Sequence, residues 1–166
     1  MEKTNVILIG MPGCGKSTVG VILAKILGYE FLDTDLLIQK REEARLEEII
    51  RRVGNDAFLD IEEDVCSSLD TGRTVIATGG SAVYRPAAMQ HLKELGTVLY
   101  LKVPLHELAV RLHDLKARGV VLPEGTTLSA LYKERAELYE KYADIVIEEG
   151  QGGLEETVEK VKETLA

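Results

Sequence analysis

Tryptophan is absent from this chain and cysteine is scarce, with Cys14 and Cys66 the only two. Two cysteines make no disulfide framework, and this pair lacks the spacing of metal ligands. Basic residues are also in deficit, 20 against 28 acidic ones. A nucleic-acid partner is therefore not expected, because phosphate backbones require clustered lysine and arginine. No apolar run approaches about 18 residues, so we expect no membrane span.

Length and composition are those of one soluble globular domain. The 166 residues are 45% apolar, enough to bury a core in a single domain covering residues 1–166. No segment resembling a signal peptide precedes the first apolar run, which starts by Asn5. The sequence therefore predicts a cytoplasmic protein, and a monomer is the simplest expectation.

The most specific motif is the stretch Gly10–Thr18, in which a glycine and four free positions precede Gly15, Lys16 and Ser17. This is the phosphate-binding loop pattern. An apolar run precedes it and helical periodicity follows, which is the expected strand, loop and helix context. The alternative is a glycine-rich turn that only caps a helix. The motif predicts nucleoside triphosphate binding by Gly13, Cys14, Gly15, Lys16, Ser17 and Thr18, with Lys16 on the β- and γ-phosphates and Ser17 on Mg²⁺.

Strands and helices alternate along the chain, which predicts a doubly wound parallel α/β sheet flanked by helices. Ligands bind such sheets at the carboxyl ends of the strands. That edge would collect Gly10–Ser17, Asp33–Asp35, Thr78–Gly80 and Gly150–Gly153. The predicted strands are 5–10, 30–32, 74–78, 97–103 and 144–147, and the predicted helices are 16–27, 36–69 with a break near 53–55, 86–95, one after Pro104, 128–142 and one at the C-terminus.

Two carboxylates, Asp33 and Asp35, follow the second strand. In an extended segment they would point the same way, so one could hold magnesium while the other orients or deprotonates a hydroxyl. Helix capping is the alternative. After the third strand, Gly79 and Gly80 would let the backbone approach a ligand, or simply form a tight turn.

Two arginines are candidates for binding anions. Arg118 lies in the aperiodic segment 114–125, which predicts either a lid that neutralises the transferred phosphate or an ordinary surface loop. Arg135 interrupts the apolar stripe of the helix 128–142, so it would pair with a substrate carboxylate or with an internal glutamate. The histidines His91, His106 and His113 form no cluster, and we expect them at the surface.

Taken together, these motifs resemble the shikimate kinase family in order and spacing from about residue 5 to residue 166. The phosphate loop alone is common to many proteins, whereas the combination is much more specific. The motifs are the loop Gly10–Thr18, Phe31-Leu32-Asp33-Thr34-Asp35, Phe58 with Ile61-Glu62-Glu63, Gly79-Gly80-Ser81-Ala82-Val83, and Glu134-Arg135-Ala136 with Leu138-Tyr139.

The resemblance implies a single-domain, five-stranded P-loop kinase of the nucleoside-monophosphate-kinase type that transfers phosphate from ATP to a small molecule, with a lid at about 113–125. It implies that Asp33 and Ser17 hold Mg²⁺ and that Asp35 binds the acceptor hydroxyls and acts as the base. Arg118 would be the lid arginine and Arg111 would pack on adenine. The acceptor would be bound by Asp35, Phe58, Gly79, Gly80 and Arg135.

Three departures from the family pattern concern the acceptor. Leu59, followed by Asp60, stands where the family usually has an arginine that binds the shikimate carboxylate, and Ser81 replaces the third glycine. Residues 118–121 of the predicted lid are Arg-Gly-Val-Val, whereas the family usually has Arg-Pro-Leu-Leu. Shikimate is the predicted acceptor. The alternatives are another hydroxy acid, polyol or nucleotide, as in gluconate or nucleoside-monophosphate kinases, or a low-turnover ATP-binding regulator.

Overall fold

A parallel five-stranded sheet forms the centre of the protein. The computed structural model describes residues 3–116 and 125–166, and its strands are β1 (Asn5–Ile9), β2 (Glu30–Asp33), β3 (Thr74–Ala77), β4 (Gly96–Lys102) and β5 (Ile145–Glu148). Their order across the sheet is β2-β3-β1-β4-β5, and every neighbouring pair is parallel. The predicted doubly wound sheet is confirmed.

Helices connect the strands and pack against the sheet. Within the described residues, no helix combines the length and the apolar character needed to cross a membrane. The helices are α1 (Lys16–Leu27), α2 (Thr34–Glu42), α3 (Leu46–Val53), α4 (Asn55–Ser67), α5 (Pro86–Leu95), α6 (Leu105–Lys116), α7 (Leu128–Tyr142) and α8 (Gly153–Leu165), and a 3₁₀ turn covers Ala82–Tyr84.

The core lies on both sides of β1. All five residues of this strand are buried, as a strand that lies between β3 and β4 and is covered on both faces requires. Helix α1 buries Val19 and Leu23 against the sheet, and its left-handed C-cap is Gly28, as predicted. A second, smaller cluster of Ile38, Ile49, Phe58 and Val65 lies among α2, α3 and α4.

Three predictions of local structure need correction. Helix α2 already begins at Thr34, so Asp33 and Asp35 do not lie in one extended segment, and α2 ends at a left-handed Glu43, which adds a second break to the region 36–69. His91 is half-buried rather than exposed, and its Nε2 lies 2.6 Å from the Leu69 carbonyl. Of the predicted lid, residues 117–124, including Arg118, lie outside the described residues.

Asn5 ties together the amino ends of three strands. The residue is 3% exposed, and its amide donates to the carbonyls of Thr71 at 2.8 Å and Leu95 at 3.0 Å. Its Oδ1 accepts from the Thr74 backbone N–H at 3.0 Å. One polar side chain of β1 thus provides hydrogen bonds for three backbone groups at the amino ends of β3 and β4.

We expect Asn5→Leu to lower the free energy of unfolding by about 2–4 kcal/mol, because an apolar side chain of similar size leaves buried backbone groups without partners. Urea titration followed by circular dichroism measures the change. Asn55→Leu, at an exposed position, is the matched control and should change stability by under about 0.5 kcal/mol. Equal midpoints for both variants would contradict the role of Asn5.

Candidate active site

The carboxyl ends of β1, β2 and β3 carry the candidate site. Each strand runs directly into one of the predicted motifs: the phosphate loop after β1, Asp33–Asp35 after β2, and Thr78–Gly80 after β3. Since the three strands are adjacent and parallel, these segments meet at one edge of the sheet. The predicted convergence of these three segments is confirmed.

The phosphate loop is built on glycines with positive φ. Gly13 has φ 82° and Gly15 has φ 97°. Residues with a side chain are strained at such positive φ angles. Lys16 is 8% exposed, and its ammonium donates to the carbonyls of Gly10 at 2.6 Å and Met11 at 3.0 Å. The lysine is therefore held inside the loop, at the N-terminus of α1, where an anion is favoured.

The remaining loop residues divide between interior and surface. Cys14 is buried at 2% exposure and its Sγ lies 3.7 Å from the Lys16 ammonium. Ser17 and Thr18 are exposed. The loop thus turns two hydroxyl-bearing residues outward above a packed cysteine, in agreement with an ordinary structural role for Cys14.

Arg111 is fixed against the phosphate loop by an acid that sequence reasoning missed. Its guanidinium donates to the Gly13 carbonyl at 3.1 Å and to both carboxylate oxygens of Glu149, at 2.7 and 2.6 Å. The Glu149 side chain is 5% exposed. Hydrogen bonds between an arginine and a carboxylate are charge-assisted and strong, so these contacts hold Arg111 beside the phosphate loop. Its contact with adenine stays a prediction.

Asp33 serves the helix and the phosphate loop together. Its Oδ1 accepts from the Asp35 backbone N–H at 2.9 Å, which caps α2. Its Oδ2 accepts from the Ser17 hydroxyl at 2.9 Å. Asp33 therefore caps α2, as the alternative predicted, and it also contacts Ser17, the residue with which it is predicted to hold Mg²⁺.

Asp35 faces the glycine pair that follows β3. A Cβ added to Gly79 would lie 2.6 Å from Asp35 Oδ1, so only a glycine leaves room for this carboxylate. Burial, together with the charge of Asp33, raises the pKa of Asp35 to about 6, although Lys16 acts in the opposite direction. A carboxylate with a raised pKa beside a phosphate loop is suited to accept a proton.

Glu62 is a second buried acid in the site, and sequence reasoning gave it no role. It is 2% exposed, its Oε1 accepts from the Ser81 hydroxyl at 2.7 Å, and its Oε2 is buried without a partner among the described residues. Burial raises its pKa to about 7. The signal was available, because Phe58, Glu62 and Val65 recur at helical spacing on the buried face of α4.

Arg135 is buried on the apolar face of α7, as predicted, and is 5% exposed. A Cβ on Gly80 would lie 2.8 Å from its Nη1, which places the guanidinium at the glycine pair. None of the salt bridges formed within the described residues involves Arg135, although the charge of Arg135 acts on the buried Glu62 and lowers its pKa against the effect of burial. The Nε of Arg135 donates a hydrogen bond to the Tyr84 hydroxyl at 3.1 Å.

The glycine pair is held by hydrogen bonds, whereas Phe58 belongs to a hydrophobic cluster. Phe58 is buried at 7% exposure in the helical cluster of α2, α3 and α4, and its predicted contact with the acceptor stays a prediction. The Gly80 carbonyl accepts from the buried Tyr139 hydroxyl at 2.6 Å. The Gly79 N–H donates to Thr34 Oγ1 at 3.2 Å. Both glycines are thus held by hydrogen bonds.

The fold and the phosphate loop are those of a P-loop kinase, and comparison with known proteins identifies the family. The family model described as shikimate kinase matches residues 12–166. Shikimate kinase from Clostridium botulinum (strain Loch Maree / Type A3) is 40% identical over 146 residues, which is 86% of each chain. The shikimate kinase of the strain Eklund 17B / Type B is 33% identical over 98% of each chain.

Solved structures agree with the sequence relatives. Shikimate kinase from Acinetobacter baumannii in complex with shikimate is 33% identical, with a TM-score of 0.87 over 98% of this chain and 92% of that chain. The shikimate kinase from Aquifex aeolicus is 31% identical, with a TM-score of 0.80 over 97% and 95%. The chain belongs to the shikimate kinase family. The predicted family, fold and class of enzyme, an ATP-dependent kinase, are confirmed.

We expect Glu62→Gln to raise the free energy of unfolding at pH 8 by about 1–3 kcal/mol. The folded-state pKa of Glu62 is raised from 4.5 to about 7, so the folded protein binds a proton that the unfolded chain releases between these values. The contribution of Glu62 to stability therefore falls as pH rises through this window. Glutamine keeps the shape and carries no charge.

Urea titrations at pH 5 and pH 8 measure the difference, with Glu63→Gln as the neighbouring control on α4. The gain of Glu62→Gln should be larger at pH 8 than at pH 5, because Glu62 is mostly protonated in the folded protein at the lower pH. A gain that is equal at both pH values would show that burial does not hold a proton on Glu62.

Proposed function

We propose that this protein transfers the γ-phosphate of ATP to a ring hydroxyl of shikimate. One observation carries the assignment of the acceptor: groups of opposite charge flank two adjacent glycines. The Asp35 carboxylate occupies the space that a side chain at Gly79 would need, and the Arg135 guanidinium does the same at Gly80. An acceptor that carries hydroxyls and a carboxylate fits this arrangement, and the similar Acinetobacter baumannii enzyme was solved in complex with shikimate.

Asp35 is the proposed base. Its carboxylate accepts the proton of the acceptor hydroxyl while the hydroxyl oxygen bonds to the γ-phosphorus. The bond from this phosphorus to the β,γ-bridging oxygen breaks, and ADP leaves with that electron pair. With a pKa of about 6, Asp35 is mostly ionised at neutral pH and remains basic enough to hold the proton.

Lys16 and the loop N–H groups stabilise the charge that spreads over the phosphoryl oxygens. Phosphoryl transfer depends mainly on positioning and electrostatics, and Lys16 already lies within the loop. Gly13, Cys14, Gly15, Ser17 and Thr18 complete the proposed nucleotide site. Arg111 is proposed to pack on adenine and Arg118 to act from a lid, although residue 118 lies outside the described residues.

The residues present fit a magnesium ion. Ser17 and Asp33 offer a hydroxyl and a carboxylate oxygen 2.9 Å apart at the mouth of the phosphate loop, and oxygen donors are those that Mg²⁺ prefers. Ser17 and Asp33, the latter through water, would hold the ion. When bound, Mg²⁺ neutralises phosphate charge. A cytoplasmic location, a monomeric state and a lid at about 113–125 belong to the same proposal.

Asp60 does not oppose the acceptor carboxylate. Its side chain is 68% exposed and pairs with Arg85 Nη2 at 3.0 Å, whereas its neighbour Leu59 is half-buried. The departure at these two positions therefore removes a positive charge from the site without adding a negative one. The Arg135 guanidinium supplies a positive charge at the glycine pair.

We expect Mg-ATP turnover, measured as ADP release, with shikimate but not with gluconate or nucleoside monophosphates. Asp35→Asn should reduce kcat by at least about 100-fold, the contribution typical of a general base, because the amide cannot accept the proton. Asp56→Asn, on the exposed start of α4, is the matched control. Turnover with another acceptor alone would replace shikimate, and tight ATP binding without turnover would favour the regulator.

We expect Leu59→Arg to lower the KM for shikimate by about 10-fold, since a charge-assisted hydrogen bond contributes about 1.5–3 kcal/mol. Leu59→Gln, which adds length without charge, is the control and should have a smaller effect. The KM for ATP should not change in either variant. An unchanged KM for shikimate in Leu59→Arg would show that the acceptor carboxylate lies elsewhere.

A further inference from the structure

Arg135 is held in place by a tyrosine. The Nε of Arg135 donates to the Tyr84 hydroxyl at 3.1 Å, and its guanidinium carbon lies 5.2 Å from the centre of the Tyr84 ring. Hydrogen bonding and cation–π attraction both fix an arginine without neutralising it. Arg135 is nearly fully buried, and this contact leaves its charge available to an anionic ligand.

The hydrogen bonds of Tyr84 have a defined direction. The Nε–H of an arginine can only donate, so the Tyr84 hydroxyl accepts from Arg135. The single proton of that hydroxyl then points to the Glu134 carboxylate, whose Oε2 lies 3.2 Å away. Glu134 thereby turns a hydroxyl lone pair towards its neighbour Arg135.

Tyr84 connects the glycine pair, Gly79 and Gly80, with helix α7, which carries Arg135. Tyr84 ends the 3₁₀ turn that follows the glycine pair, and this turn is closed by bonds from Ala82 N–H to the Gly79 carbonyl at 3.2 Å and from Tyr84 N–H to the Ser81 carbonyl at 3.1 Å. Tyr84 is therefore tied to the glycines through the backbone and to α7 through its side chain.

We propose that Tyr84 is a positioning residue that sets the Arg135 guanidinium for the carboxylate of the acceptor. The proposal rests on the proposed function, because it concerns the group that Arg135 binds. With Leu59 where relatives of this family usually carry an arginine, the orientation of Arg135 gains importance. Tyr84 contributes to specificity through Arg135 and does not itself contact the reacting atoms.

Steady-state kinetics of Tyr84→Phe test the role. The variant keeps the ring and loses the hydroxyl, so the KM for shikimate should rise by about 5- to 10-fold, while kcat and the KM for ATP stay within about twofold. Tyr84→Leu also removes the aromatic face and should raise this KM further, by about 30-fold in total. Tyr29→Phe is the matched control, because Tyr29 also lies beneath an arginine, Arg73, at the opposite end of β2.

A neutral acceptor separates positioning from general damage to the site. The methyl ester of shikimate offers no negative charge to Arg135, so the wild type and Tyr84→Phe should have equal KM values for it. A rise in KM that is as large for the ester as for shikimate would overturn the proposal. An equal fall of kcat for both acceptors would do the same.

Arg135→Gln distinguishes failure of this proposal from failure of the proposed function. If Arg135→Gln leaves the KM for shikimate unchanged, the assignment of the acceptor carboxylate to Arg135 is wrong, and the role of Tyr84 falls with it. If Arg135→Gln raises this KM and Tyr84→Phe does not, only the role of Tyr84 is wrong. Equal effects of Tyr84→Phe on KM in the wild-type and Arg135→Gln backgrounds would also contradict coupling between the two residues.

Discussion

The parallel pairing of β1 with β3 and β4 is the constraint on which the site depends. Its register pairs Leu8 with Ala77 and Leu99, so the chain leaves β1 and β3 at the same height. A shift by one residue would turn every buried side chain of β1 to the other face and separate the phosphate loop from the glycine pair. Asn5 fixes this register from the opposite end, through backbone groups beside both neighbouring strands.

Burial at the carboxyl edge of the sheet gives two acids chemical properties that cost stability. Asp35 and Glu62 both have raised pKa values because they are withdrawn from water, and a carboxylate in such surroundings is unfavourable when ionised. Gly79 permits this arrangement, since a Cβ at that position would collide with both acids. The protein thus holds reactive groups together by removing side-chain volume from the backbone between them.

The sequence predicted the elements because its apolar periodicity and its glycines act locally, and it predicted the convergence of the motifs because parallel strands share an edge. Side-chain partners were harder to predict. The partner of Arg135 depends on the packing of α7 against a 3₁₀ turn whose Tyr84 lies 51 residues earlier, which no local pattern encodes. Glu149 was missed for the same reason, since its partner Arg111 lies 38 residues away. Glu62 was different, because its helical spacing already placed an acid on a buried face.

The departures Leu59 and Ser81 both concern the surroundings of Glu62, because Ser81 donates to its carboxylate and Leu59 precedes it by three residues on α4. Residues 59 and 62 are one helical turn apart on α4, so an arginine at 59 would be a neighbour of Glu62 on the helix surface, and its charge would favour the ionised acid. Leucine removes that charge. Ser81 supplies a neutral hydrogen bond to Glu62 Oε1, which favours the ionised form less strongly than a cation does. In this chain the buried Glu62 therefore has a hydroxyl as its hydrogen-bond partner, and no cation stands one helical turn before it at position 59.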